Sequence, residues 1–163
     1  MARVVKLLLG LGLCLVFTSY SFCANFFQGV FAKDFQYFLY DESKLIWVFK
    51  AKVFFQKNQF TFEGKDVIIE SPEKNILISG KTATFDERRN IFKVFGNATF
   101  VTPSVGKILT SELTFYPDQG IVETEKEVVV KKKGMVIKGE GMTYYVKTGE
   151  FKLKKKAKIK FEL

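Results

Sequence analysis

A phrase that recurs about every 30 residues through the C-terminal two-thirds of the chain most constrains how it can fold. A small or apolar residue is followed two positions later by a bulky one at Ala51-Lys52-Val53, Ala83-Thr84-Phe85, Leu113-Thr114-Phe115 and Met142-Thr143-Tyr144. Each copy passes through a turn into a second alternating segment: Phe60-Thr61-Phe62, Phe92-Lys93-Val94, Val122-Glu123-Thr124 and Phe151-Lys152-Leu153. A third follows at Val67/Ile69, Ala98/Phe100, Val128/Val130 and Ala157/Ile159. Units repeating at this period are supersecondary pieces, none of which can bury its apolar face alone, so they must stack.

The periodicity within the units is two. Lys44–Phe55 puts Leu45, Trp47, Phe49, Ala51 and Val53 on one face and Lys44, Ile46, Val48, Lys50 and Lys52 on the other, as in a strand with one buried face. Turn residues separate the segments at Asp41-Glu42-Ser43, Lys57-Asn58, Ser71-Pro72-Glu73, Glu87–Asn90, Pro117–Gly120 and Lys147-Thr148-Gly149. Superposing the repeats gives an inward set of Trp47, Phe49, Val53, Phe60, Phe62, Val67, Ile69, Leu77, Phe85, Phe92, Val94, Phe100, Leu109, Phe115, Val122, Val128, Val130, Met142, Tyr144, Phe151 and Leu153. Alternation alone does not distinguish a filled core from an apolar channel along the stack.

The N-terminus reads as a targeting segment. Arg3 and Lys6 precede the apolar run Leu7–Phe17, and no further charge occurs until Lys33. A basic start before an apolar run keeps the N-terminus cytoplasmic and sends the rest of the chain across the membrane. Leu7–Phe27 would give about 31 Å of helix, enough to span a bilayer. Phe22 occupies a place where cleavage after Ala24 wants a small residue, so anchoring is expected and cleavage is the alternative. The division is therefore a signal anchor over residues 1–28 and one β domain over 29–163.

Composition excludes several chemistries. With no His, imidazole catalysis and His-ligated metal are ruled out, and no Ser or Thr has an imidazole base. Cys14 and Cys23 lie in the apolar segment, leaving the β domain without disulfide or thiolate metal site. Asp86-Glu87 sits in a turn beside Arg88 and Arg89, and Glu123/Glu125/Glu127 alternate along a solvent-facing strand; both read as surface ion pairs. No catalytic residue, metal or cofactor is expected. The net charge of +9 calls for an anionic partner, yet no nucleic-acid signature accompanies it. Eleven lysines follow residue 130 against Glu140, Glu150 and Glu162, and on the last strand Lys152, Lys154, Lys156, Lys158 and Lys160 share one face, which is either a solvated edge or an attraction for anions.

The segments Phe35-Gln36-Tyr37, Trp47-Val48-Phe49-Lys50-Ala51, Phe95-Gly96-Asn97-Ala98, Ile137-Lys138-Gly139-Glu140-Gly141-Met142 and Thr148-Gly149-Glu150-Phe151, in this order behind an apolar anchor, resemble the LptC family. The resemblance runs from Val30 to Leu153. It implies an all-β fold, an incomplete antiparallel β-jelly roll of two sheets built from the repeats, after one N-terminal apolar helix. It further implies a single-pass inner-membrane protein of the lipopolysaccharide export machine, with its β domain in the periplasm. Lipid A acyl chains would be received from an inner-membrane ABC transporter complex and passed to a soluble periplasmic bridge by edge-strand pairing. The residues expected to line the lipid groove are Trp47, Phe49, Phe60, Phe62, Leu77, Phe85, Phe92, Val94, Phe115, Val128, Met142, Tyr144 and Phe151. The alternatives are the soluble bridge itself with a cleaved signal peptide, a polyanion-binding envelope β protein, and a structural envelope protein with a closed core.

Overall fold

The computed structural model describes residues 29–161; the expected apolar helix over 1–28 lies outside the described residues. Nine strands follow one another: β1 (Phe31–Asp41), β2 (Lys44–Asn58), β3 (Thr61–Ser71), β4 (Ile76–Asp86), β5 (Ile91–Thr102), β6 (Gly106–Tyr116), β7 (Ile121–Lys132), β8 (Met135–Tyr145) and β9 (Glu150–Phe161). Each pairs antiparallel with its sequence neighbours, giving one nine-stranded sheet in the order β1 to β9. Where two sheets were expected, the hydrogen-bonded order is unbroken. Among the described residues no helix is long and apolar enough to cross a membrane.

The single sheet obtains two walls by creasing across the middle of its strands. There the ladders skip or shift: between Ser79 and Thr82 on β4, Phe95 and Ala98 on β5, Thr110 and Thr114 on β6, Thr124 and Glu127 on β7, and Lys138 and Glu140 on β8. Left-handed backbone accumulates on the same line, at Asp34, Asp66, Gly96, Asn97, Gly141 and Lys156. Such bulges bend a strand and raise its twist. Two buried threonines satisfy backbone groups near these breaks: Thr110 Oγ1 donates to Glu127 O at 2.8 Å, and Thr124 Oγ1 accepts from Lys126 N–H at 3.1 Å. Glycine gives the room: a Cβ on Gly80 would come within 2.4 Å of Val94 and 2.9 Å of the Phe95 carbonyl oxygen.

On one side of the crease the inner face carries an aromatic row, in which Phe62, Phe85, Phe92, Phe115, Val122, Tyr144 and Phe151 are successive cross-strand partners. This row explains the repeat, because one period is one hairpin and returns a bulky residue to the same level. On the other side the row is mostly aliphatic: Tyr37, Phe49, Ile69, Ile78, Phe100, Ile108, Val130, Ile137 and Ile159. The aromatic and aliphatic walls face each other. Trp47 on β2 meets Phe115 on β6 at 4.6 Å between ring centroids, Phe49 meets Phe92 on β5 at 5.4 Å, and Phe100 meets Tyr144 on β8 at 5.0 Å. In a flat sheet β2 and β6 would stand about 19 Å apart, so the sheet must close over its own inner face.

The crease also corrects the inward set. On β4 the inner residues are Ile76 and Ile78 before it and Ala83 and Phe85 after it; on β6 they are Ile108 and Thr110, then Leu113 and Phe115. A one-residue slip moves a strand's side chains to the opposite face. Leu77 and Leu109, placed inward by superposing the repeats, share the parity of Phe85 and Phe115 but stand on the other side of the slip and therefore lie on the outer face. On β2 the same slip hides Phe54 in place of Val53.

The edges differ. β1 is held chiefly by Phe35, which stacks on Phe54 at 4.0 Å, while Phe31, Tyr37, Phe38 and Tyr40 are exposed. β9 packs Phe151 and Leu153 against the core but leaves Ile159 and Phe161 exposed. Lys154 of β9 crosses Gly141 of β8 to reach Glu123, at 3.5 Å, and Glu125, both on β7. Its hydrogen bond to Glu125 holds the ammonium's pKa above the ordinary 10.5.

Phe100 is fully buried and Leu77 lies on the outer face. Phe100→Ala should cost about 3–5 kcal/mol in urea unfolding, and Leu77→Ala less than about 1.5 kcal/mol. Equal losses would overturn the placement of the crease. A raised lysine pKa stabilises below its unfolded value, and the contribution is lost as pH rises through the folded value. The thermal stability gap between the native chain and Lys154→Met should therefore be present at pH 8 and close above the ordinary lysine value.

Candidate functional site: an aromatic cavity at the open end of the fold

The stagger between the walls decides where the inner face is sealed and where it is open. Under β5 to β8 the strands cover each other: Val94, Phe100, Val122, Val128 and Met142 have no exposed surface. Tyr144 closes that layer, its ring edge-on to Phe100 and its hydroxyl 3.4 Å from Ser104 Oγ. Toward β1 the cover thins, and a cavity of about 420 Å³ opens. The aromatic wall contributes Phe62, Phe85, Phe92 and Phe115; β2 contributes Trp47 and Phe49; β1 contributes Phe35, Tyr37 and Leu39; Phe54 and Ile69 complete the lining. Its volume falls in the range of sites that enclose small molecules or parts of larger ones, about 300–1,000 Å³.

The lining rings form a continuous surface. Phe54 stacks on Phe62 at 5.3 Å, Phe62 on Phe85 at 6.3 Å, Phe85 on Phe92 at 4.3 Å and Phe92 on Phe115 at 6.2 Å. They are rigid, apolar and held by cross-strand neighbours, so they offer contact area at small entropic cost. Besides the hydroxyl of Tyr37 and the indole N–H of Trp47, the polar side chains of the lining are Glu87 and Asn90, which come with Pro117 from the β4–β5 and β6–β7 turns. Asn90 Nδ2 donates to Asp118 Oδ1 at 2.7 Å, tying the β4–β5 and β6–β7 turns together. Asp86 accepts from Arg89 Nε at 2.7 Å, and that bond holds its carboxyl below the ordinary range. Both carboxylate clusters are thus engaged by surface cations, Asp86 by Arg89 and Glu123/Glu125 by Lys154.

Of the residues expected to line a groove, the structure gathers Trp47, Phe49, Phe62, Phe85, Phe92 and Phe115 in one cavity. Val94, Val128, Met142 and Tyr144 belong to the sealed layer, and Phe151 packs half-buried against its end. Phe60 lies in the β2–β3 turn with the Arg88 guanidinium 3.5 Å above its ring, and Leu77 is on the outer face between Glu70 and Val101. Phe35, Tyr37, Leu39 and Phe54 were missed, and Ile69 was placed on the inner face but not in the lining. The first three alternate along β1 and were recoverable from that spacing; Phe54 was hidden by the phase slip after Ala51.

No group of side chains able to hold a metal occurs among the described residues. The class defined by the described residues is a self-covering β scaffold with an apolar cavity at one end and, among those residues, an edge strand paired on one side only at each end. Within that class, residues 29–162 match the family described as lipopolysaccharide-assembly, LptC-related, and the chain belongs to it. This is a family of non-enzymatic components of lipopolysaccharide transport. No curated protein is matched. The fold is similar to the crystal structure of LptH from Pseudomonas aeruginosa, the LptA homologous periplasmic component of the conserved lipopolysaccharide transport device. The two share 12% identity and a TM-score of 0.54 over 83% of this chain and 95% of that one.

Trp47 is the chain's single tryptophan and lines the cavity, so its fluorescence reports occupancy. A fatty acid brominated on its tail should quench Trp47, and Phe92→Arg should weaken that binding about tenfold with the far-ultraviolet dichroism unchanged. Undiminished quenching in a folded Phe92→Arg chain would exclude Phe92 from the binding surface.

Proposed function

We propose that this chain is the membrane-anchored component of lipopolysaccharide export, and that the cavity bounded by Trp47, Phe62 and Phe92 shelters acyl chains of lipid A in transit. The observation that carries the reading is an aromatic cavity open to solvent in a member of the LptC-related family. A tail of a dozen methylenes costs roughly 10 kcal/mol to expose to water, at about 0.8 kcal/mol per CH₂. A protein surface that replaces water along the tail removes that barrier without chemistry.

In this reading residues 1–28 anchor the chain in the inner membrane. The β1 end receives lipid from an ABC transporter complex, and the β9 end passes it to a soluble periplasmic bridge. The edges support this: among the described residues β1 and β9 each present one backbone ladder without a partner strand, flanked by exposed apolar residues, Phe31 and Tyr40 on one, Ile159 and Phe161 on the other. Unpaired ladders are sites for strand addition.

Benzoylphenylalanine at Phe62 or Phe92 should capture lipopolysaccharide in cells, whereas at outward-facing Lys93 or sealed Phe100 it should not. Equal capture at all four positions would sink the cavity model.

A further inference from the structure

The outer face of the aliphatic wall carries a pattern that the cavity does not use. Two cross-strand rows run over it. One is Leu77, Val101, Lys107, Lys131, Val136 and Lys160; the other is Ser79, Thr99, Leu109, Val129, Lys138 and Lys158. From β4 to β9 these rows contain no carboxylate. The outer face of the aromatic wall is different: its row Glu63, Thr84, Lys93, Thr114, Glu123, Thr143 and Lys152 alternates sign.

Like charges stand directly opposite one another on the first wall, Lys107 against Lys131 and Lys138 against Lys158. Such pairs destabilise a sheet unless counter-charge is supplied. Among the described residues none of Lys107, Lys131, Lys138, Lys158 or Lys160 has a carboxylate within 4 Å. The carboxylates nearest in register, Glu127 and Glu140, face each other one level nearer the crease, and Glu140 is taken by Lys156 at 2.9 Å. Glu127 and Glu140 border a concavity with Lys138 and Lys158 but make no ion pair with them, so among the described residues this face keeps a surplus of positive charge that an anionic surface would offset.

Between the lysines the surface is apolar. A shallow concavity of about 540 Å³ has Leu109, Val129 and Val136 among its lining, with Lys131 and Lys138 beside them. Every cation of these rows is a lysine, a mobile point charge, with none of the planar forks that arginine offers to individual phosphates. Long lysine stems over an apolar floor suit a surface whose charge is spread out and whose interior is greasy. We propose that this outer face, spanning β6 to β9, rests on a bilayer bearing anionic headgroups. The lysines would sit among the headgroups and the Leu109–Val129 floor would turn toward the acyl boundary. The cavity is on the other side of the same sheet, so the two surfaces can be occupied together.

Lysine acetylation footprinting of the full chain tests this without depending on how residues 1–28 bind. The chain is mixed with vesicles of phosphatidylcholine alone or with about one-third phosphatidylglycerol. Lys107, Lys131, Lys138, Lys158 and Lys160 should acetylate about fivefold more slowly on the anionic vesicles, and the protection should fade in high salt. Lys65 and Lys93, on the opposite wall, should change by less than about twofold. Equal labelling on the two vesicle types would overturn the proposal, as would equal protection of Lys93. So would equal protection by soluble polyphosphate with neutral vesicles, which would make the face a general polyanion site. None of these outcomes bears on lipid capture at Phe62 or Phe92.

Discussion

A sheet with no second layer must provide its own cover, and the mid-strand crease is how this chain does it. Without the breaks near Gly80, Gly96-Asn97 and Gly141, nine long strands would form a twisted ribbon with one apolar face in water. With them, the aromatic wall of a later strand lies over the aliphatic wall of an earlier one. Trp47 on Phe115, Phe49 on Phe92 and Phe100 on Tyr144 are all contacts across three or four strands. The sealed layer and the open cavity both result from the same stagger.

Much of this was legible in the residues. Alternation located the strands, turn residues separated them, and the spacing of Phe85, Phe115 and Tyr144 registered a real cross-strand row. What alternation could not carry across was the crease, because one extra residue reverses every face beyond it. Leu77, Leu109 and Val53 were misplaced for that reason alone. A signal existed: glycine inside an alternating segment marks a bulge or a close backbone approach, and Gly80 and Gly139-Glu140-Gly141 stood inside such segments. The cavity was less accessible. Whether a ring is sealed, like Phe100, or lines an opening, like Phe92, depends on which strand lies opposite, and strand alternation does not encode that.

Charge is distributed by wall rather than by strand. The outer row of the aromatic wall mixes Glu63, Lys93, Glu123 and Lys152, and its pairs tie neighbouring strands, as when Tyr116 Oη donates to Glu123 at 3.0 Å. Exposed ion pairs such as Lys154 with Glu123 contribute modestly each, roughly 0–1 kcal/mol. Their use here is positional, since Lys154 fixes an edge strand whose outer half has little apolar contact. The two outer rows of the aliphatic wall thus bring five lysines and no carboxylate to the +9 net charge.

The offset between the walls also sets an order of assembly. Each hairpin pairs locally and can close as soon as it exists, but Trp47 and Phe49 gain their partners on the facing wall, Phe115 and Phe92, only once β5 and β6 have been made. A chain emerging from β1 onward thus carries its aromatic surface unprotected for the length of three or four strands. The last strands reverse the situation, since Tyr144 arrives to find Phe100 waiting. Growth at the C-terminal end buries what came before, and the segment most exposed to mispairing is the one made first.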